Sequence, residues 1–321
     1  MARVGIPRGL LTYQYLPMWK TFLEALGAEV VISPPTTRQT LAEGVRRMVA
    51  ETCLPVKVFC GHAVALAGQC DYLFIPSIKS VEPRVYNCSK FLGLPDMVRA
   101  VVPEAPPILE ADIDVNQGRR ALYRAIYSLA RPLTWNPWRV REATRLAMEA
   151  HRRYVQGMVR EKKTPLQALG FSPPEEEAPH RLMVAIVGHP YIVHDDFITH
   201  RLLPRLKGLG VRVLVPEMAL EEEMARAMAK LDGKAYWTYE AEVVGAGAYY
   251  LDQEEVDGAI GVAAFGCGPD SLMVDLVKRY ARERKRPFLA LSLDEHSGEA
   301  GLLTRLEAFL DMIERKKRKC E

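Results

Sequence analysis

The chain of 321 residues contains no Cys-x-x-Cys pair. Zinc-ribbon and thioredoxin patterns, which bring two thiols together over so short a span, are therefore excluded. No run of about 18 apolar residues is free of charge, so no membrane-spanning helix is expected. The opening Met1-Ala2-Arg3-Val4-Gly5-Ile6-Pro7 lacks the basic and then apolar layout of a signal peptide. There is no Gly-x-x-x-x-Gly-Lys-Ser/Thr loop, and Gly5 and Gly9 do not complete a Gly-x-Gly-x-x-Gly turn. Neither a P-loop nor a standard dinucleotide site is expected. A Gly-x-Ser-x-Gly nucleophile elbow is missing too. An excess of one charge is also lacking, since 43 Lys and Arg face 40 Asp and Glu for a net +3. Without a dominant basic stripe, nucleic acid is not an expected partner. The one dense basic run, Arg315-Lys316-Lys317-Arg318-Lys319, suits a helix C-terminus, where cations meet the negative end of the dipole.

Apolar residues make up 49% and charged residues 26%, as in ordinary globular proteins. At roughly 100–200 residues per domain the length predicts two domains. A cytoplasmic location is expected, where disulfides rarely persist. Six cysteines in such a compartment call for a metal or redox explanation.

Strand and helix patterns alternate. Strands are expected at Ala2–Ile6, Glu29–Ile32, Tyr72–Ile75 and Pro107–Glu110, with helices at Tyr15–Leu26 and at Arg38–Glu51 behind a Thr36 or Thr37 cap. Residues 118–162 carry helical spacing almost throughout, and 162–180, with Pro165, Pro173, Pro174 and Glu175-Glu176-Glu177, reads as a linker. Strands resume at Leu182–Val187, Val211–Val215, Asp257–Phe265 and Pro287–Ser292. Helices are expected at Phe197–Leu209, Leu220–Leu231, Trp237–Tyr250, after Asp270 and at Gly301–Lys316. Strands separated by helices imply parallel βαβ units. The fold class is thus α/β, with two Rossmann-like parallel-sheet domains and a helical connection. The expected boundaries are 1–117 for the first domain with Cys53 and Cys88, 118–180 for the helical connector and linker, and 181–321 for the second with Cys267.

Cys53 falls just past a predicted helix in Glu51-Thr52-Cys53-Leu54-Pro55-Val56-Lys57, a loop stiffened by Pro55. Cys88, in Tyr86-Asn87-Cys88-Ser89-Lys90, follows the third strand. Cys267 lies in Phe265-Gly266-Cys267-Gly268-Pro269-Asp270, a strand end, a tight loop and a helix start. Pro269 suits the first helical turn, and the unpaired N–H groups there favour negative charge. Dispersed thiols of this kind converge if each sits at a strand end facing one cleft, and thiolates are the ligands iron–sulfur clusters prefer. Cys60 is either a spare ligand or a packing residue, with packing favoured; Cys70 reads as structural and Cys320 as incidental. His189, in Gly188-His189-Pro190-Tyr191, ends the first strand of the second half, and His194-Asp195-Asp196 follows. Glu295 and His296 follow the last strand. Such groups move protons or bind metal, whereas Asp195 and Asp196 fit helix capping better.

Val4-Gly5-Ile6-Pro7-Arg8-Gly9, Glu51–Lys57, Cys88-Ser89-Lys90-Phe91-Leu92-Gly93-Leu94-Pro95-Asp96, Gly266–Ser271 and Asp294–Gly301 together resemble the acyl-CoA dehydratase activase-related proteins. These belong with the 2-hydroxyacyl-CoA dehydratase and double-cubane-cluster superfamily. The resemblance implies two flavodoxin-like or Rossmann-like domains. It also implies a [4Fe–4S] cluster, or half of a double-cubane [8Fe–9S] cluster, held by Cys53, Cys88 and Cys267. Lys57, Lys90, Glu295 and His296 would surround that cluster. An ATP-dependent activase would donate low-potential electrons, with a homodimer or related subunit and a small-molecule substrate as further partners.

The leading expectation is an iron–sulfur protein that accepts such electrons for reductive chemistry, with 2-hydroxyacyl-CoA dehydration as one candidate reaction. The alternatives are a non-catalytic electron relay or cluster scaffold, and a metal-free small-ligand-binding module. Whether the chain is an enzyme is left open between them.

Overall fold

Val4, Gly5 and Ile6 are buried within β1 (Arg3–Ile6), the pattern of a strand covered on both faces. α1 (Thr12–Ala25), β2 (Glu29–Ile32) and α2 (Arg38–Arg47) follow. The Thr37 hydroxyl accepts the Thr40 N–H at the start of α2, satisfying one orphan donor of the first turn. The computed structural model describes residues 1–173, 179–231 and 237–319. Pro174, the run Glu175-Glu176-Glu177 and Cys320 lie outside the described residues.

The helix expected to run from Arg38 to Glu51 ends at Arg47, and a second one, α3 (Leu54–Leu66), begins where a loop was expected. Eleven of its thirteen residues are buried. Burial on every side erases the apolar and polar alternation that marks a surface helix, so the sequence shows an unpatterned run. Each buried Leu, Val or Phe of such a helix contributes about 1.5–3 kcal/mol. α2 and α3 cross at backbone distance through two glycines. A methyl group on Gly44 would overlap the Lys57 carbonyl, and one on Gly61 the Thr40 carbonyl.

Beyond α3 come β3 (Tyr72–Phe74), β4 (Ser77–Ser80), α4 (Ser89–Leu92), α5 (Leu94–Val101), β5 (Ile108–Leu109) and β6 (Asp112–Asp114). A 3₁₀ turn at Val115–Gln117 leads to α6 (Arg119–Ala130), α7 (Pro137–Glu161) and α8 (Pro165–Ala168). The first sheet is parallel in the order β2-β1-β3-β5, with Val4 opposite Val30 on one side and Tyr72 on the other. β4 and β6 form a separate parallel pair. Strands of three or four residues are too short to display alternation, and these two escaped the sequence reading.

The second sheet is parallel in the order β10-β9-β7-β8. Its elements are β7 (Leu182–Val187), α9 (Pro190–Val193), α10 (Leu202–Gly208), β8 (Val211–Leu214) and a 3₁₀ turn at Pro216–Met218. Then come α11 (Glu221–Met228), α12 (Glu240–Leu251), β9 (Gly258–Ala264), α13 (Gly268–Glu283), β10 (Phe288–Leu293) and α14 (Glu299–Arg318). Ile260 of β9 sits opposite Ile186 of β7 and Leu289 of β10. All seven β9 residues are buried, and α12 and α13 pack Val243, Val244, Met273 and Val277 into the same core. The helix expected from Phe197 starts only at Leu202, because His200 and Arg201 take positive φ.

The chain divides into two units. The first spans Met1–Gly157 and takes in Trp237 and Thr238; the second takes the rest. Each is built on a four-stranded parallel sheet with helices, so the expected Rossmann-like α/β class holds. Among the described residues no helix is long and apolar enough to cross a membrane.

Candidate functional site

In both sheets the chain moves from the first strand to an outer neighbour and then crosses to the opposite side. The strand order therefore reverses between β1 and β3, and again between β7 and β9. In open parallel sheets ligands bind outside the carboxyl ends of the strands at this reversal.

At the β7 and β9 ends the second unit assembles a histidine–carboxylate pair. His189 caps α9, with Pro190 in the first turn, where a missing N–H is harmless. After β9, Gly266 turns the chain at φ +76°, Cys267 caps α13, and Asp270 falls in the helix's first turn. Asp270 Oδ2 accepts the Ala264 N–H at 2.8 Å and its Oδ1 lies 2.6 Å from His189 Nδ1. A carboxylate only accepts, so Nδ1 carries the hydrogen and the neutral ring's acceptor is Nε2. His189 stacks on Tyr191 with centroids 4.8 Å apart, and Tyr239 meets it edge-on at 6.5 Å. The ring is thus fixed in tilt and in tautomer. Both partners are nearly sealed, at 5% and 2% exposure, where a charge-assisted hydrogen bond is strong.

The sequence marked His189 and saw Asp270 only as a helix start. The pair spans 81 positions. The available signal was that Gly188-His189-Pro190 and Gly266-Cys267-Gly268-Pro269-Asp270 both end strands that a βαβ alternation places in one sheet. A second pair, His194 Nε2 and Glu217 Oε1 at 3.1 Å, lies buried behind α9, and Glu217 was not singled out. Asp195 accepts the Phe197 and Ile198 N–H groups, which is the expected capping role.

In the first unit a histidine from within α3, His62, meets the residues that follow β2. The Arg8 N–H donates to Ser33 Oγ at 2.7 Å; Ser33 Oγ and Thr36 Oγ1 each lie 3.0 Å from a His62 ring nitrogen, Nδ1 and Nε2 respectively, so that the neutral ring donates to one hydroxyl and accepts from the other. Burial, helped by the Arg8 charge, pushes the His62 pKa down to about 3. The ring is neutral and both nitrogens are engaged.

The cysteines are distributed as follows. Cys53 caps α3 and Cys88 caps α4 in the first unit, and Cys267 caps α13 in the second; all three are half-buried. Cys53 therefore opens a helix rather than trailing one. Cys60 is buried in α3, and that burial raises its pKa to about 11, which fits packing. Cys70 donates to the Leu66 carbonyl. Lys57 is buried with Nζ on the Ala50 carbonyl at 2.9 Å. Lys90 is half-buried on α4. Glu295 and His296 occupy a turn that Asp294 and Ser297 close on themselves, and the His296 side is exposed. Among the described residues no group of three or more His, Cys, Asp or Glu side chains is placed to hold a metal ion.

A family model described as CoA enzyme activase uncharacterised domain matches residues 3–219. No curated protein matches the chain. A solved periplasmic sugar-binding protein from Pseudomonas fluorescens is similar at 14% identity over 90% of this chain and 84% of that one. Its TM-score is 0.23, too low to bear on fold or ligand. With a family model of the activase type and no metal-holding group among the described residues, the expected role as an iron–sulfur electron acceptor is corrected: the domain is of the CoA enzyme activase type.

Proposed function

Because the chain belongs to the CoA enzyme activase uncharacterised-domain family, we propose that it is an accessory component that raises the activity of a CoA-dependent enzyme. Its working site lies at the carboxyl ends of β7 and β9. The partner we propose is a dehydratase of the 2-hydroxyacyl-CoA type, with an ATP-dependent activase in the same system. The observation that carries the site is the His189–Asp270 pair. Asp270 takes Nδ1 and keeps Nε2 for a ligand group or a proton. The location supports the same reading, since strand reversal and helix starts at α9 and α13 coincide there.

The test is a reconstituted dehydration assay on a 2-hydroxyacyl-CoA, with and without this chain. Wild-type protein is expected to raise the rate. His189→Gln and Asp270→Asn are expected to lose at least about a hundredfold of that stimulation, the lower range for a positioned acid–base group. A chain with no effect on the rate ends the partner reading. Folded His189→Gln protein that stimulates like wild type ends the site reading alone.

A further inference from the structure

We propose that the exposed corner where α6 meets α7 is a docking surface for an acidic patch on a partner protein. The proposal rests on the reading of the chain as an accessory to a CoA-dependent dehydratase, and it names the surface through which the two meet. Residues 115–141 contain six arginines and no lysine, aspartate or glutamate. That stretch alone carries six positive charges, in a chain whose net charge is +3. All six arginines are exposed, and among the described residues none of them forms an ion pair. Farther along α7 the pattern changes: Arg145 pairs with Glu142 and Glu149, and Arg153 reaches Glu149. The corner therefore presents cations that this chain does not neutralise, the complement of an acidic surface.

Aromatic side chains share that surface. Arg120, Tyr123, Arg124, Tyr127 and Arg131 recur at helical spacing along one side of α6, while Leu129 is buried on the other. Tyr123 is 59% exposed, Trp135 77% and Trp138 74%, and clustered exposed rings of this kind mark interaction sites. The corner is held in shape before any partner arrives. Tyr127 Oη donates to the Pro137 carbonyl at 3.3 Å, Asn136 Oδ1 accepts the Trp138 N–H at 2.9 Å, and the Arg131 guanidinium lies 4.9 Å from the centroid of the Trp135 ring. A surface fixed in advance loses little freedom on binding. Arg, Trp and Tyr carry most of the energy in protein interfaces, where Lys is depleted. Cations supplied by arginine alone suit the planar, two-pronged recognition of carboxylates. A helix lying on a membrane presents its rings and its cations on opposite sides, whereas α6 mixes them on one. Nucleic acid calls for a broad positive stripe, and here Asp112, Asp114 and Glu142 flank the corner.

The experiment measures binding of the full chain to a purified 2-hydroxyacyl-CoA dehydratase by calorimetry, beside the stimulation assay. Wild-type protein is expected to bind, with an affinity that falls several-fold between about 0.05 and 0.3 M salt. Trp135→Ala and the double variant Arg124→Glu/Arg131→Glu are each expected to weaken binding at least about tenfold. Both are expected to need correspondingly more protein for half-maximal stimulation, with the maximal rate unchanged. Their melting midpoints are expected to stay near wild type, because the altered side chains are exposed. Arg212→Glu, at an exposed arginine on β8, is the charge control and is expected to bind as wild type does. Folded corner variants that bind and stimulate like wild type overturn the docking surface and leave the partner reading standing, as does equal weakening by Arg212→Glu. A wild-type chain that neither binds nor stimulates ends the partner reading and this occupant with it. Wild-type protein that binds an oligothymidine strand or phosphatidylglycerol vesicles more tightly than the dehydratase, and loses that binding in Trp135→Ala, overturns the assignment to a protein.

Discussion

The two units share a strand order and differ in what stands at the strand ends. In the first, His62 has a hydroxyl on each nitrogen and is wholly buried in α3. In the second, His189 has a carboxylate on Nδ1 and two tyrosines holding the ring. A histidine whose two nitrogens are both matched by neutral groups is a structural cross-link. One that is oriented by a carboxylate keeps a nitrogen for chemistry. The same topology thus carries a structural histidine in one unit and the candidate working site in the other. The residues brought to the strand ends, from a loop in one unit and from within a helix in the other, make the difference, and the strands themselves do not.

The strongest test of the contrast is in the glycines. Gly61→Ala forces a methyl into the Thr40 carbonyl and is expected to destabilise the protein by about 3 kcal/mol or more. Gly268→Ala, at the start of α13, meets no neighbour and is expected to stay within about 1 kcal/mol. Denaturant titration of both variants checks this, and equal losses would break the asymmetry.

Next in size is the histidine exchange. His62→Phe leaves the buried Ser33 and Thr36 hydroxyls without the ring nitrogens and is expected to cost about 2–3 kcal/mol. His189→Gln is expected to lose function at smaller structural cost. Melting curves beside the stimulation assay separate the two, and a reversed pattern would exchange the roles assigned to the units.

The pH dependence of stability sharpens the same point. His62 titrates near 6.5 when unfolded and near 3 when folded, so the unfolded chain binds the proton first. Its contribution is complete above pH 6.5 and falls as pH drops, by about 2 kcal/mol at pH 5, levelling near pH 3. His62→Phe is expected to flatten that part of the stability profile. An unchanged slope would show that other groups govern acid sensitivity.

Smaller effects concern the thiols. Cys60, buried and with its pKa raised to about 11, is expected to react with a thiol reagent only on unfolding, while half-buried Cys88 and Cys267 react in the native protein. Mass mapping after brief labelling reads this directly.

Much of the fold was legible because parallel α/β architecture repeats short, well-marked units. Leu182–Val187 was read to the residue, since six apolar residues end at Gly188. The start of α3, Leu54–Lys57, was read as a loop because burial on all faces leaves no periodicity. The 197–201 segment was read as helix because its apolar spacing hides the positive φ of His200 and Arg201. At the site, His189 was visible as a polar residue at a strand end. Asp270 as its partner was not, because a contact across 81 positions depends on which strands become neighbours.

The sequence alone determined the alternation of strands and helices, the placement of Gly188-His189 and Gly266-Cys267 at strand ends, and the near balance of charge. These are local properties, written in residues a few positions apart. Tertiary structure decided which loops meet. It joined His189 to Asp270 and closed His62 between Ser33 and Thr36. Each of those depends on packing between distant segments, and packing is a property of the assembled core that no local pattern encodes.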